Sequence, residues 1–149
     1  MHSIVEAVGT PAYVYSAGAI RSAYKDIDSA FAEYPHSIHY ALKANSTLAL
    51  LRLLRSLGSR ADANSWGEIQ VAGRAGFEPR DIVFTGVGKT RDELEAAVAH
   101  EIGTINAESA GELDRIASIA ASQGRVARVA LRVNPDIDAK SHPNISTGL

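Results

Sequence analysis

The chain has 149 residues, 46% of them hydrophobic, which suits one ordinary domain with a sizeable core. Its net charge of −2 provides no basic field of the kind that nucleic-acid-binding domains carry. The lack of cysteine excludes disulfides, thiol catalysis and cysteine-ligated zinc. With no apolar stretch long enough to cross a bilayer and no signal-peptide pattern, we expect a cytoplasmic protein without nucleic-acid or membrane partners.

The first third of the chain predicts a strand and a helix. Residues 10–16 are typical of a short strand, with Pro11 near its start, where a missing amide donor is tolerated. Ser16 can then cap a helix, which Pro35 ends. Apolar side chains recur at steps of four and three along this helix and define one face: Ile20, Tyr24, Ile27, Phe31 and Tyr34.

After Pro35, strand-like and helix-like segments alternate. The predicted strands are residues 37–42, 60–63, 82–85, 103–106 and 126–133, the last being the longest. Three of the intervening helices begin with a Ser/Thr-x-x-Glu capping box, at residues 65–68, 90–93 and 109–112. Strand positions at Tyr40, Ala61, Val83, Thr104 and Ala130 are 21, 22, 21 and 26 residues apart. This regular alternation predicts parallel β/α units.

The period favours part of a (β/α)₈ barrel over its alternatives. An open doubly wound sheet usually has a glycine-rich turn after its first strand, whereas here that turn reads Lys-Ala-Asn-Ser. The leucine-rich-repeat signature is absent. A whole barrel needs about 250 residues. We therefore predict about five of eight β/α units, and a fragment of a longer protein, because the chain stops at Leu149 after a polar, turn-rich segment.

Polar residues follow each predicted strand, at the end where barrels and doubly wound sheets bind ligands. Lys43 lies where the first strand gives way to its loop. A lysine there can act as an amine nucleophile, although it can equally extend into solvent without any role. The other strand-end groups include Asp62, Asn64, Thr85, Asn106, Glu108, Arg132 and Asn134.

Arg132 interrupts an apolar strand, which predicts that it faces the barrel interior and needs a charged partner. We expect Asp62 to be that partner, in a salt bridge that is either structural or functional. The glycines around Lys89 suggest a phosphate loop, but the full pattern needs a glycine where Val83 stands. The five histidines lack metal-ligand spacing, so we expect no metal site.

Five segments in order resemble a known family. The Tyr-Ala-Leu-Lys-Ala-Asn motif at residues 40–45 resembles the cofactor-lysine motif of the fold-type III pyridoxal-phosphate enzymes. Residues 10–15, 62–68, 132–135 and 138–148 resemble segments of the diaminopimelate decarboxylases within that group. The last of these segments is the most specific to this decarboxylase family.

The resemblance implies an alanine racemase-like barrel and pyridoxal 5'-phosphate as the cofactor. Lys43 would bind the cofactor covalently through its amine. Asp62 and Arg132 would lie near the cofactor, and His142 and Ser146 would belong to a loop over the active site. Trp66 departs from the family pattern, which commonly has a small residue there, so we expect altered packing or an altered site shape.

The implied activity is decarboxylation of meso-diaminopimelate to lysine, the last step of lysine biosynthesis, by a homodimer. Residues 1–16 would contribute to a second, β-rich domain, and residues 17–149 would form part of the cofactor-binding barrel. A decarboxylase of another basic amino acid or of carboxynorspermidine, and a non-catalytic pyridoxal-phosphate-binding barrel, remain alternatives. Because much of the family's site lies beyond the fifth strand, we expect the chain alone to be inactive.

Overall fold

The computed structural model describes residues 2–135. It divides into two units, Met1–His36 and Ser37–Leu149. The active-site-loop residues that the sequence suggested, His142 and Ser146, lie outside the described residues. The strand-end residues of the second unit are all described, so the candidate site can be built from them.

The first unit contains two helices, α1 (His2–Val8) and α2 (Ala17–Ala30). Ser16 caps α2 as predicted, because its hydroxyl accepts a hydrogen bond from the Ala19 amide at 3.2 Å. The predicted strand at residues 10–16 is wrong as local structure, since this stretch has no strand assignment. A strand requires a partner to complete its hydrogen bonds, and within the described residues none pairs with this segment.

The second unit is a parallel sheet with helical crossovers. Its elements are β1 (His39–Ala41), α3 (Leu48–Ser56), β2 (Arg60–Ala63), α4 (Trp66–Ala75), β3 (Ile82–Phe84), α5 (Arg91–Ala99), β4 (Thr104–Ala107), α6 (Ala110–Ser122) and β5 (Val129–Leu131). The strands lie in sequence order, and every neighbouring pair is parallel. The prediction of successive β/α units is confirmed: four helices connect the five strands, and each strand pairs with the one before it.

The helices cover one face of this sheet. Successive strand side chains point to opposite faces, and the residues that face the helices are fully buried. They are Ala61, Ala63, Ile82, Phe84, Ile105 and Ala107. The alanines Ala61, Ala63 and Ala107 lie among the larger Ile82, Phe84 and Ile105 on this face, and the helix residues Leu51, Ile69, Leu94 and Ile116 pack in the same core cluster. The opposite face carries the polar strand-end residues.

Three helices begin with a side-chain cap. Ser65, Thr90 and Ser109 each accept a hydrogen bond from the amide of the glutamate three residues later. Only Thr90 forms the full reciprocal box, with Glu93 bonding back to the Thr90 amide. At Ser65 and Ser109 the glutamate carboxylate accepts instead from the amide of the residue before the serine, which is Asn64 or Glu108.

Strand β5 is shorter than predicted. It contains three residues instead of the eight expected at residues 126–133, and all three are exposed. It has β4 as its one neighbour in the described sheet, so its pairing ends where β4 ends. One ladder bond continues beyond it, from the Arg132 amide to the Ala107 carbonyl at 2.9 Å. This bond fixes the position of Arg132 at the strand end.

Candidate functional site

The carboxyl ends of the strands bring the predicted site residues to one edge of the sheet. In register, Ala41 aligns with Asp62, Asp62 with Val83, and Asn106 with Ala130. Side chains two residues apart share a face, so Thr85 and Arg132 lie on the same side as Asp62 and Asn106. This arrangement places a carboxylate, a hydroxyl, an amide and a guanidinium on neighbouring strands.

Lys43 lies in a single 3₁₀ turn, Leu42–Ala44, directly after β1. Leu42 is 1% exposed and anchors this turn in the core, whereas the Lys43 side chain is exposed. Within residues 2–135 the Lys43 amine makes no hydrogen bond or ion pair. Because Ala41 aligns with Asp62, Lys43 emerges beside the strand that carries the Asp62 carboxylate. The amine is therefore free to react at the polar edge of the sheet.

A hydrogen-bonded chain links three neighbouring strands. Asn106 Nδ2 donates to Thr85 Oγ1 at 3.1 Å, and Thr85 Oγ1 donates to Asp62 Oδ1 at 2.5 Å. A threonine hydroxyl has one proton, so the amide donor on its oxygen leaves that proton for the carboxylate. The second oxygen of Asp62 has no partner in the described part of the chain. Asp62 is thus held as an acceptor with one oxygen left for a ligand.

Arg132 does not pair with Asp62, and that prediction is wrong. Its guanidinium donates to Glu108 Oε2 at 3.0 Å. The reason is register: β5 pairs with β4, so residue 132 falls beside residue 108, whereas Asp62 lies on β2, three strands away from β5. The Glu108 side chain is 12% exposed and that of Arg132 is 41% exposed, so the cation reaches outward from a mostly buried carboxylate.

Lys89 and Glu112 form a buried ion pair that the sequence did not predict. Lys89 Nζ lies 3.3 Å from Glu112 Oε1 and also donates to the Gly86 and Asn106 carbonyls, each at 2.7 Å. The ammonium is buried and its donors are used by protein acceptors, which explains why this glycine-containing loop is not a phosphate loop. The sequence carried no signal for this pair, since the turn after β2 has the same Ser-x-Gly-Glu pattern and its Glu68 has no ion pair with the described residues.

Trp66, the departure from the expected pattern, affects packing. Its side chain packs against the core, and its ring meets the His100 ring edge-on, with centroids 5.1 Å apart. Its amide donates to Glu93 Oε1 at 3.0 Å. The large ring is therefore accommodated beside helix α5.

Two buried polar atoms at the sheet edge have no hydrogen-bond partner in residues 2–135. They are Asn64 Nδ2 and Glu108 Oε1, a donor and an acceptor. Buried polar groups in proteins are almost always paired, so these two atoms favour a polar ligand beside them. Among the described residues, no cluster of three or more histidine or acidic side chains is arranged to hold a metal ion. The exposed Lys43 amine and these two atoms together suit a polar ligand at this edge of the sheet.

Comparison with known proteins identifies the group. The family described as pyridoxal-dependent decarboxylase, pyridoxal binding domain, matches residues 17–149. The chain belongs to this family. It is 47% identical over 146 residues to the diaminopimelate decarboxylase of Pseudomonas aeruginosa, a match that covers 98% of this chain. It is 51% identical over 140 residues to that of Helicobacter pylori strain J99, covering 94% of this chain.

Solved structures agree with this assignment. The crystal structure of Helicobacter pylori diaminopimelate decarboxylase complexed with L-lysine superposes with a TM-score of 0.94 at 47% identity, covering 99% of this chain and 38% of that one. A viral arginine decarboxylase shares the fold, with a TM-score of 0.79 at 24% identity. The chain spans about 35% of the length of the relatives it matches.

The family membership confirms the predicted fold class and cofactor. The five β/α units are the N-terminal part of a pyridoxal-phosphate-binding barrel, and pyridoxal 5'-phosphate is the cofactor of the family. No helix in residues 2–135 has the length and apolar character needed to span a membrane.

Proposed function

We propose that this chain is the lysine-bearing part of an enzyme that decarboxylates meso-diaminopimelate to lysine with pyridoxal phosphate. The observation that carries the proposal is the position of Lys43, an exposed and unpartnered amine at the polar edge of the sheet. The relatives at 47% and 51% identity are diaminopimelate decarboxylases, which supports this substrate over other basic amino acids.

Within this proposal each residue at the edge has a role. The Lys43 amine binds the cofactor covalently, and when bound the cofactor supplies the electron sink for loss of carbon dioxide. Asp62 offers its free oxygen as an acceptor beside Lys43. Arg132, oriented by Glu108, supplies a fixed positive charge on the same face. An arginine held by a carboxylate keeps its direction and can donate to an anionic group.

The remaining assignments are proposals that rest on the resemblance. Residues 1–16 contribute to a second, β-rich domain, and residues 17–149 form the cofactor-binding part of the barrel. His142 and Ser146 belong to a loop over the active site. The full-length protein is a cytoplasmic homodimer without nucleic-acid or membrane partners, and its substrate is an amino acid.

The experiment that tests this function supplies the rest of the enzyme. Residues 1–149 are joined to the remaining two thirds of the Pseudomonas aeruginosa enzyme, and carbon dioxide release is measured with meso-diaminopimelate, ornithine, arginine and carboxynorspermidine. We expect release from meso-diaminopimelate, and loss of that release in the Lys43→Ala variant. Preference for another amine would replace the substrate assignment, and cofactor binding without any release would favour a non-catalytic barrel.

The isolated chain provides a second test. We expect residues 1–149 to release no carbon dioxide from meso-diaminopimelate, because the relatives it matches are about three times as long. Measurable release by the purified chain would contradict this expectation.

A further inference from the structure

Lys89 is the most deeply buried cation described in the structure. Its side chain is 1% exposed and that of Glu112 is 4% exposed. Removing an ammonium from water costs several kcal/mol, which good geometry must offset. Here the offset comes from two carbonyls at 2.7 Å, the Glu112 carboxylate at 3.3 Å and the Phe84 ring, whose centroid lies 5.5 Å away. The ammonium therefore holds several separate parts of the chain together.

The two carbonyls belong to the segments that form the hydrogen bonds from Asn106 through Thr85 to Asp62. One is that of Gly86, which directly follows Thr85, and the other is that of Asn106 itself. Thr85 and Asn106 are the two residues that pass hydrogen bonds to Asp62. Lys89 thus fixes the backbone of Asn106 and of the residue that follows Thr85, although its own side chain makes no hydrogen bond to Asp62.

Glu112 fixes the other side of this arrangement. Its Oε2 accepts from the Glu108 amide at 2.7 Å, so the carboxylate that pairs with Lys89 also holds the backbone of the residue that orients Arg132. One buried ion pair consequently supports both charged groups of the edge, Asp62 through Thr85 and Arg132 through Glu108. A hydrophobic pair of similar volume would fill the space but would hold none of these carbonyl and amide groups.

We propose that Lys89 and Glu112 are positioning residues for the cofactor site, acting on Asp62 through Asn106 and Thr85. The proposal rests on the proposed function, because it assigns the role of this network to the Lys43 edge. The network directs the Thr85 proton to Asp62 Oδ1 and leaves the other oxygen available beside Lys43. Loss of the network lowers the affinity of the chain for pyridoxal phosphate without removing the reactive amine.

The first test removes the central hydroxyl. In Thr85→Val the Asp62 carboxylate loses its donor, and we expect pyridoxal phosphate to bind residues 1–149 about tenfold more weakly, the scale of one hydrogen bond to a charged group. Thr85→Ser should restore most of the affinity. The matched control is Thr104→Val, because Thr104 lies on the same face of β4 two residues before Asn106 and makes no hydrogen bond with the described residues. Equal affinity in Thr85→Val and Thr104→Val would overturn the proposal.

The second test removes the ion pair without leaving a lone buried charge. The double variant Lys89→Met, Glu112→Gln keeps an acceptor for the Glu108 amide and leaves no lone buried charge, so we expect a folded chain. Its unfolding midpoint should be lower than that of the parent chain, because the Gly86 and Asn106 carbonyls lose their donor. We expect cofactor affinity to fall as in Thr85→Val, and the NMR signals of the Asn106 side-chain amide to move towards those of a solvated amide. Unchanged Asn106 signals in a folded double variant would overturn the proposal.

The NMR measurement needs no cofactor, so the two hypotheses can fail separately. If the parent chain binds pyridoxal phosphate no better than its Lys43→Ala variant, the proposed function fails. The Asn106 signals of the double variant still decide whether Lys89 and Glu112 position the hydrogen bonds that run from Asn106 through Thr85 to Asp62.

Discussion

The turns that follow β2 and β4 have the same sequence pattern and backbone but different electrostatics. Ser65 and Ser109 have φ and ψ of −156° and 162°, and −157° and 162°, and both cap the following helix. In both turns the glutamate accepts from the residue before the serine, at 2.7 Å. The two turns thus share the pattern Ser-x-Gly-Glu, the serine backbone conformation and the helix cap.

The difference lies in what surrounds the two glutamates. Glu68 is half-buried and has no ion pair with the described residues, whereas Glu112 is 3% exposed and pairs with Lys89. Lys89 comes from the loop after β3, which lies between the two turns in the sheet. A local pattern therefore sets the backbone, and a residue from another loop decides whether the turn also carries a buried charge pair.

The largest expected effect separates these two glutamates. We expect Glu112→Gln to lower the free energy of unfolding by about 3–5 kcal/mol, because Lys89 stays buried without its counter-charge. Glu68→Gln should cost about 1 kcal/mol, since it weakens one hydrogen bond and leaves no buried cation. Urea-induced unfolding measures both. Equal losses of unfolding free energy in the two variants would show that the Lys89–Glu112 pair does not stabilise the turn after β4.

Two glycines near these turns differ in backbone conformation: Gly86 lies in the loop after β3, and Gly111 lies in helix α6. Gly86 has φ +109°, and an added Cβ would lie 3.2 Å from the Asn64 carbonyl oxygen. We expect Gly86→Ala to cost about 1–3 kcal/mol because a left-handed backbone strains any other residue. The control is Gly111→Ala in helix α6, where an added Cβ would meet only the Arg115 guanidinium, at 3.9 Å, so alanine should stabilise the chain by about 0.5–1 kcal/mol. A stabilising Gly86→Ala would contradict the described loop geometry.

The two serine caps should behave alike. We expect Ser65→Ala and Ser109→Ala each to lower the free energy of unfolding by about 1 kcal/mol, because each loses a bond to a glutamate amide at 3.2 Å. Thermal or urea unfolding of both variants provides the comparison. A much larger loss at Ser109 would mean that the cap and the ion pair act as one unit.

The smallest expected effect on stability comes from Glu93 in the turn after β3, and this effect depends on pH. Hydrogen bonds from the Trp66 and Thr90 amides lower the pKa of the Glu93 carboxyl below its ordinary value of 4.5. A carboxyl whose folded pKa is depressed stabilises the fold above its unfolded pKa, and this contribution is lost as pH falls through the folded pKa. We expect the parent chain to be more stable than Glu93→Gln at pH 7 and the gap to narrow below pH 4.5. A gap that is independent of pH would contradict the role of the ionised carboxylate.

Most of the fold was predictable because periodicity and capping patterns are local. The Ser/Thr-x-x-Glu patterns located the starts of α4, α5 and α6, and the regular spacing predicted the parallel sheet. The strand at residues 10–16 was wrong, because it depends on pairing that the local sequence does not specify. The eight-residue β5 was too long for a similar reason, since its ladder ends with β4.

The site was predictable as a set of strand-end residues but not as a set of pairs. Asp62 and Arg132 do lie at the sheet edge, yet Arg132 pairs with Glu108 because β4, and not β2, is the neighbour of β5. Lys89 was missed because its partner, Glu112, is distant in sequence and already has an evident capping role. Which strand-end residues pair depends on strand register, and the spacing of the strands in the sequence does not specify that register.

The measurement that tests the central claim most directly is covalent trapping of the cofactor on the chain. Pyridoxal phosphate is added to residues 1–149, the adduct is reduced with borohydride, and peptides carrying Lys25, Lys43, Lys89 and Lys140 are mapped. We expect the label on Lys43, because its amine is exposed and unpartnered at the polar edge, whereas Lys89 is buried in its ion pair. Label concentrated on another lysine, or spread evenly over the accessible ones, would contradict the assignment of Lys43 as the cofactor-binding residue.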